Sequence, residues 1–481
     1  MSARLSSADT AWLHMDRPTN LMVINSVLLF DQPVDWERVR QIIQVRLVDR
    51  YPRFRQRVVE SRAPLRAPKW EDDPDFALEH HVHRRGLPAP GDRAAVQEFV
   101  GDLMTMPLDR NRPLWNMYLV DGFGQGAAMV VRMHHCIADG IALARVMLSL
   151  TDSEPDAGLA PLSPARPEAR RRGMSGVLTG AGEQVLSAAT QVGETVVRQA
   201  AEVVLWPPHA TRLAGAVVRD SATVLRLLLT RADPASGLKA DPGVSRRVAW
   251  TRRLSLDRIK QIARAHNATV NDVVLAATSG ALRHYLQERG YPAREIQAMI
   301  PFNLRPLSEP VPRELGNKFG LVFLPLPVGV SGSYRRLAEV HNRMERIKQS
   351  RDGPVSYALL SATGLTPEPI ERRIVDLFSA KGTAVITNVP GPREPVYLAG
   401  TPVRTALVWA PTSGHIGMSI SIFSYRGEVT VGLMVDAEIV PDPDAIVEQL
   451  ERELEALGRL ESPPQRSISS CRARPLGQAS G

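Results

Sequence analysis

Apolar positions in the first 150 residues switch repeatedly between a spacing of two and a spacing of three to four. Residues 21–29 are rich in Val, Ile and Leu and predict a strand. Residues 36–48 carry Val39, Ile42, Ile43, Leu47 and Val48, the spacing of one helical face. Residues 76–83 predict a strand and 94–104 a helix. Residues 115–120 and 127–133 predict a hairpin around the run DGFGQG, and 141–150 predict a helix.

The pattern breaks at 152–174, where prolines, acids and the cluster Arg170-Arg171-Arg172 mark a linker. Residues 175–230 return to helical spacing at Val185, Ala189, Val192, Val196 and Ala200, and Trp206-Pro207-Pro208 ends that helix. A second helix carries Leu213, Val217, Val218, Val224 and Leu228. Two readings of this pair stay open: it packs on its own protein, or it is an interfacial amphipathic hairpin that docks on lipid. Farther on, strands are predicted at 246–254, 297–301, 321–326 and 384–388, with a hairpin of 418–425 and 428–435 turning at Arg426-Gly427. Helices are predicted from a Ser255 cap to His266 and at 272–290, 334–350 and 442–458. The division expected is an N-terminal domain at 1–160, a basic linker with amphipathic helices at 161–240, a C-terminal domain at 241–460, and a disordered Pro/Ser/Arg-rich tail at 461–481.

Bulk numbers narrow the class. A chain of 481 residues exceeds one compact core, and 44% hydrophobic content is that of a globular protein. No uninterrupted apolar run of about 20 residues predicts a spanning helix, and the first residues lack the apolar core of a secretory signal. Cys136 and Cys471 do not suggest a disulfide framework, so a reducing cytoplasmic compartment is expected. The net charge of +8 admits nucleic acid in principle, yet no basic helix or aromatic-studded sheet motif accompanies it. Attraction to an anionic membrane surface is the better use of that charge.

The chemistry concentrates in His134-His135-Cys136-Ile137-Ala138-Asp139-Gly140, which follows the apolar run 127–133. An imidazole at a strand end can face a substrate channel and accept a proton from a hydroxyl near pH 7, where its ordinary pKa lies. The aspartate can fold back on the turn, and the glycine can adopt a backbone conformation closed to other residues. Strand alternation turns His134 away from His135, towards packing or local hydrogen bonding. A metal is a poor rival. The two histidines are adjacent, His81 and His83 have no third ligand in view, and no second pair has zinc spacing. Cys136 beside a histidine could serve a covalent scheme, but a small buried filler is the simpler reading.

Other stretches join this one: LSSAD at 5–9, Pro113-Leu114-Trp115, Asn271-Asp272, Gly316-Asn317 within ELGNKFG, and Asn388-Val389-Pro390-Gly391-Pro392. In this order they resemble the bacterial wax ester synthase/diacylglycerol acyltransferase family, whose H-H-x-x-x-D-G motif is shared with CoA-dependent acyltransferases and condensation domains. The resemblance runs from residue 5 to about residue 460. It implies an α/β fold of two chloramphenicol-acetyltransferase-like domains, mixed sheets flanked by helices, joined by a helical linker. It implies transfer of a long-chain acyl group from acyl-CoA to diacylglycerol, giving triacylglycerol, or to a long-chain alcohol, giving a wax ester. His135 is then the general base and His134 its support. Asp139 forms a structural ion pair, with Arg305 as candidate partner, and Gly140 supplies backbone geometry or room for substrate. Asn271 is either an N-cap or a donor to substrate or oxyanion. Pro113-Leu114-Trp115 reads as a rigid lead into a core strand, Gly316-Asn317 as a loop, and the proline-rich run as a stiff loop able to cross over the other domain. No metal or resident cofactor is expected, since acyl-CoA is a substrate. The expected partners are acyl-CoA, the acceptor lipid and a peripheral membrane or lipid-droplet surface, without nucleic acid. Two rival readings are a condensation-type transferase fed by a carrier protein and a non-catalytic lipid-binding protein.

Overall fold

The computed structural model describes residues 3–60, 67–159, 232–304, 312–350, 352–364 and 368–459. The helices expected at 175–230, Arg305 and the tail with Cys471 lie outside those residues.

The strands that build the two main sheets are β1 (Val23–Phe30), β2 (Val82–Gly86), β3 (Trp115–Phe123), β4 (Gly126–His134), β5 (Arg246–Trp250), β6 (Leu254–Ser255), β7 (Ile296–Asn303), β8 (Phe319–Leu326), β9 (Ala384–Pro390), β10 (Thr405–Trp409), β11 (Met418–Tyr425) and β12 (Glu428–Asp436). The helices around them are α1 (Ser7–His14), α2 (Trp36–Ile43), α3 (Arg93–Thr105), α4 (Gly140–Leu148), α5 (Leu256–Ala265), α6 (Val270–Glu288), α7 (Ser333–Lys348), α8 (Asp352–Thr363), α9 (Glu368–Ser379) and α10 (Pro443–Arg459). The first sheet runs β10-β1-β4-β3-β2, and the second runs β8-β7-β9-β11-β12-β5 with β6 also on β12. This is the mixed α/β architecture expected.

Position within the sheet explains the sequence of each strand. Strand β4 is central and buried at every residue, which is why it reads as one apolar run rather than an alternation. Helix α6 is likewise buried along most of its length, between α7 and α10. Thr278 and Ser279 are tolerated there because their hydroxyls donate to the carbonyls of Val274 and Leu275, at 2.8 Å each. Its N-terminus is a capping box of Thr269 and Asp272.

Three local expectations change. The strand expected at 76–83 is a 3-10 turn, Leu78–His80, and β2 starts only at Val82. His81 explains the shift: its Nδ1 pairs with the Trp115 carbonyl at 2.8 Å and its ring stacks on that indole at 4.6 Å. The helix expected at 36–48 is α-helical to Ile43 and finishes as a π-turn, Gln44–Val48. The third change concerns the border between the halves. β10 leaves the C-terminal half and pairs antiparallel with β1, so the first sheet is completed by residues from far along the chain. Val27, Leu29, Val130, Trp250, Leu407 and Trp409 then share one apolar cluster between the sheets. The proline-rich loop after β9 leads into this crossing.

The second sheet is interrupted at one place. Parallel strands β7 and β9 are paired only at Ala298–Ala384 and Met299–Val385. Beyond that, β7 follows β8 as far as Asn303, while β9 follows β11 as far as Pro390. A cleft opens where they part.

Candidate active site

The turn after β4 is fixed by backbone hydrogen bonds. The His135 N–H donates to the Met22 carbonyl at 2.7 Å, and the Ile137 N–H donates to the His134 carbonyl at 3.0 Å. Asp139 is the N-cap of α4: its Oδ1 accepts from the Ala142 N–H at 2.9 Å, and its Oδ2 accepts from the Lys318 N–H at 3.2 Å. Asp139 therefore shapes the turn through backbone donors. The guanidinium partner expected from the sequence, Arg305, lies outside the described residues.

The two histidines diverge. His134 Nδ1 accepts the Cys136 N–H at 3.1 Å, which leaves its proton on Nε2, 3.8 Å from Asp16 Oδ2. Burial pushes the Asp16 carboxyl up, but His134, the Met22 N–H and Arg110 outweigh it and hold the group below its ordinary value. His134 is thus a local brace, as its alternation predicts. The His135 ring lies on the indole of Trp12, with centroids 4.2 Å apart, and tilts against Phe319 at 5.3 Å. Its Nδ1 is shut off from solvent and makes no hydrogen bond to the described residues.

Burial pushes the His135 pKa down to about 3. Its own backbone carbonyl opposes the fall, His134 adds to it, and Asn317 opposes it. The expectation of a group poised near pH 7 is corrected accordingly. The ring is neutral across the physiological range because there is little water around it to support a charge.

A strap from the second half holds the turn in place. The Gly316 N–H donates to the Ile137 carbonyl at 3.1 Å, Asn317 Nδ2 donates to the His135 carbonyl at 2.8 Å, and the Lys318 N–H reaches Asp139. With Phe319 against the His135 ring, four consecutive residues touch the histidine turn. Leu315 and Gly316 both have positive φ, +56° and +102°, which makes the bend that aims them. Asn317 also donates to Asp9 Oδ1 at 2.7 Å, tying α1 into the same node. Burial raises the Asp9 pKa, against hydrogen bonds from Asn317 and Ser6 and the charge of Arg53. Local sequence pattern assigns Gly316-Asn317 to a loop and gives Asp9 no role. The signal that could find them is their presence in the motifs LSSAD and ELGN.

The remaining candidates also find their places. Gly140 is not required by backbone conformation, since its φ lies outside the left-handed region, and an added Cβ would meet nothing within 4 Å. Its role is space. Asn271 is not the cap of α6, a place taken by Thr269; its Oδ1 accepts from Asn388 Nδ2 at 3.1 Å. Cys136 is buried, and burial holds its thiol well above the ordinary range, which removes the thiolate that a covalent route needs. No group of three or more metal-ligating side chains occurs among the described residues.

His135 lines a cavity in the cleft between β7 and β9, together with Gly140, Asn303, Phe319, Thr387 and Asn388. Ile24, Gly140, Val389 and Val408 line both this cavity and a nearly wholly apolar one that runs along α4. A third cavity, also apolar, lies under α8 and α9 with Trp12 in its wall. A neutral buried imidazole therefore lines one cavity, with two apolar cavities beside it.

The fold that carries this site, two sheets joined by an exchanged strand, is similar to that of solved acyltransferase and condensation-domain structures. The solved wax ester synthase/diacylglycerol acyltransferase from Marinobacter aquaeolei VT8 superposes with a TM-score of 0.66 at 24% identity, covering 95% of this chain and 98% of that one. The first condensation domain of the calcium-dependent antibiotic synthetase gives 0.57 at 17% identity, covering 96% and 97%. Residues 5–274 match the wax ester synthase/diacylglycerol acyltransferase catalytic domain, and 315–458 match the C-terminal domain of the same family. A relative in Mycobacterium tuberculosis described as a probable diacylglycerol O-acyltransferase, tgs1, is 30% identical over 419 residues, 85% of this chain and 84% of that protein. A second from that organism with the same description, tgs2, is 29% identical over 461 residues, 93% of this chain and 97% of that protein. The chain belongs to the wax ester synthase/diacylglycerol acyltransferase family.

Proposed function

We propose that this protein transfers a long-chain acyl group from acyl-CoA to the free hydroxyl of diacylglycerol, forming triacylglycerol and CoA. The observation that carries the proposal is the His135 ring, neutral at the cleft between β7 and β9 with apolar cavities close by. Its Nε2 takes the acceptor's hydroxyl proton as the oxygen bonds to the thioester carbonyl carbon. The carbonyl electron pair moves onto oxygen, then returns as the C–S bond breaks. The departing sulfur takes the proton from His135, and the base is restored. Burial that holds the ring uncharged suits this cycle, because the imidazolium forms only when an oxyanion appears beside it. A thioester is already activated, so the chemistry draws on no resident cofactor. Long-chain alcohols are acceptors of the same chemistry and would give wax esters.

The substrates favour work at a lipid surface on the cytoplasmic side, either the membrane or a lipid droplet. Helix α9 supports this, with Ile370 and Leu377 about half exposed. No helix among the described residues is long and apolar enough to cross a membrane.

The test is an acceptor panel. Purified protein is given one labelled long-chain acyl-CoA with diacylglycerol, a long-chain alcohol or neither. Release of CoA with labelled triacylglycerol is expected. Product formed only from a carrier-bound thioester, or lipid retained without thioester cleavage, overturns the proposal.

A further inference from the structure

The proposed reaction builds negative charge on the carbonyl oxygen of the thioester, and that charge needs a donor in the cleft. Most polar side chains lining the His135 cavity are already committed. Asp139 is an acceptor occupied by the N–H groups of Ala142 and Lys318. Asn388 donates to Asn271, and Asn303 has a partner. Asn317, just behind the histidine, spends its amide on Asp9 and on the His135 carbonyl.

One hydroxyl stands apart from these. Thr387 Oγ1 is buried and has no hydrogen-bond partner among the described residues, and Thr387 lines the same cavity as His135. Its place on β9 explains the direction it faces. Ala384 and Ile386 pack into the core of the second sheet's helical layer, and Asn388 reaches Asn271 on α6. Alternation turns Thr387 to the other face. It also lies two residues beyond Val385, the last residue at which β9 is paired with β7. On its other side the backbone stays locked to Ser421 of β11. Thr387 is therefore held on a fixed strand at the mouth of the fork.

We propose that Thr387 is a catalytic residue whose Oγ1–H donates to the thioester carbonyl oxygen and stabilises the oxyanion of the tetrahedral intermediate. The proposal rests on the acyl-transfer reading given above. No proton leaves Thr387: the alcohol's proton goes to His135 and then to the CoA sulfur, and the hydroxyl only strengthens its hydrogen bond while the carbonyl oxygen is negative. A buried donor without a partner in the free protein breaks no existing bond when charge develops, as such a site requires.

The test compares wild type, Thr387→Val, Thr387→Ser and His135→Ala in steady-state transfer from one acyl-CoA. Removal of a single oxyanion donor typically lowers kcat by roughly 10²- to 10³-fold. Thr387→Val, which keeps the shape and loses the hydroxyl, is expected to fall in that range with little change in KM, and Thr387→Ser to recover most of the loss. The thioether analogue of the acyl-CoA, whose CH2 replaces the carbonyl, is expected to bind wild type and Thr387→Val with equal Kd. The melting temperature of Thr387→Val is expected to match or exceed that of wild type, because the variant removes an unpaired buried hydroxyl. Undiminished kcat in Thr387→Val, a Thr387→Ser variant as slow as Thr387→Val, or a parallel loss of thioether binding overturns this assignment alone. Absence of transfer by the wild-type chain removes the reaction itself and overturns both readings.

Discussion

The two sheets differ where they meet the site. The first is fully paired where it delivers His135: β4 is bonded on both sides, to β1 and to β3. The second is unpaired where it faces that residue, because β7 and β9 separate after two residue pairs. One sheet supplies a fixed group and the other supplies room. The strap at residues 316–319 connects the two, so the position of the base is set by both halves of the chain.

The largest effect is expected at the base. His135→Ala is expected to lower transfer by about 10²- to 10⁴-fold, measured as CoA release, with the circular dichroism spectrum unchanged. Near-normal turnover would mean that the fixed group is not the chemical one. The room is probed next through Gly140→Val. Its side chain would project into the space shared by two cavities, since a Cβ at this position has no neighbour within 4 Å. Melting temperature should hold, while kcat/KM for long-chain acyl-CoA drops by roughly 10²-fold, the scale of a misplaced reactant. Equal kcat/KM in variant and wild type across a chain-length series would show that this neck carries no substrate.

The connection is tested by Asn317→Ala, which strips partners from the Asp9 carboxylate and the His135 carbonyl. A loss of about 1–3 kcal/mol in unfolding free energy is expected from denaturant midpoints. A variant as stable as wild type would show that the strap is decoration. A further test concerns pH. With a folded pKa of about 3 against an ordinary 6.5, the unfolded chain binds a proton at His135 through a window in which the folded chain refuses it. Stability should therefore be unaffected by this group above about pH 6.5 and should decline as pH falls towards 3. His81 and His83, whose pKa values burial also lowers, act in the same direction. His135→Gln should make the acid decline shallower, read as melting temperature against pH. An identical decline would contradict the burial argument.

Local chemistry was legible in the sequence and long-range commitment was not. His134 to Gly140 lie within one turn, so their residue types and the preceding apolar run already place a histidine at a strand end. Asp9 and Asn317 are 308 positions apart, and no spacing rule links them. The depression of the His135 pKa is hidden for the same reason, since Trp12 and Phe319 arrive from outside the motif. Thr387 lies beside the recognised Asn388, yet only its missing partner sets it apart. Helix α8 leaves no clear helical signal because it opens with Asp352-Gly353-Pro354, a turn by composition, and α1 because its eight residues are short for periodicity to show. Strand β10 is five residues long, and its membership in the first sheet depends on a crossing that no local pattern encodes.

That crossing constrains how the protein is made. Until Trp409 has left the ribosome, one side of β1 has no neighbour, and a bare row of amides and carbonyls waits through most of translation. A first half that folded before that point would carry this bare edge, open to mispairing with other chains. Splitting the gene between the halves would yield two incomplete products rather than a small enzyme and a spare part.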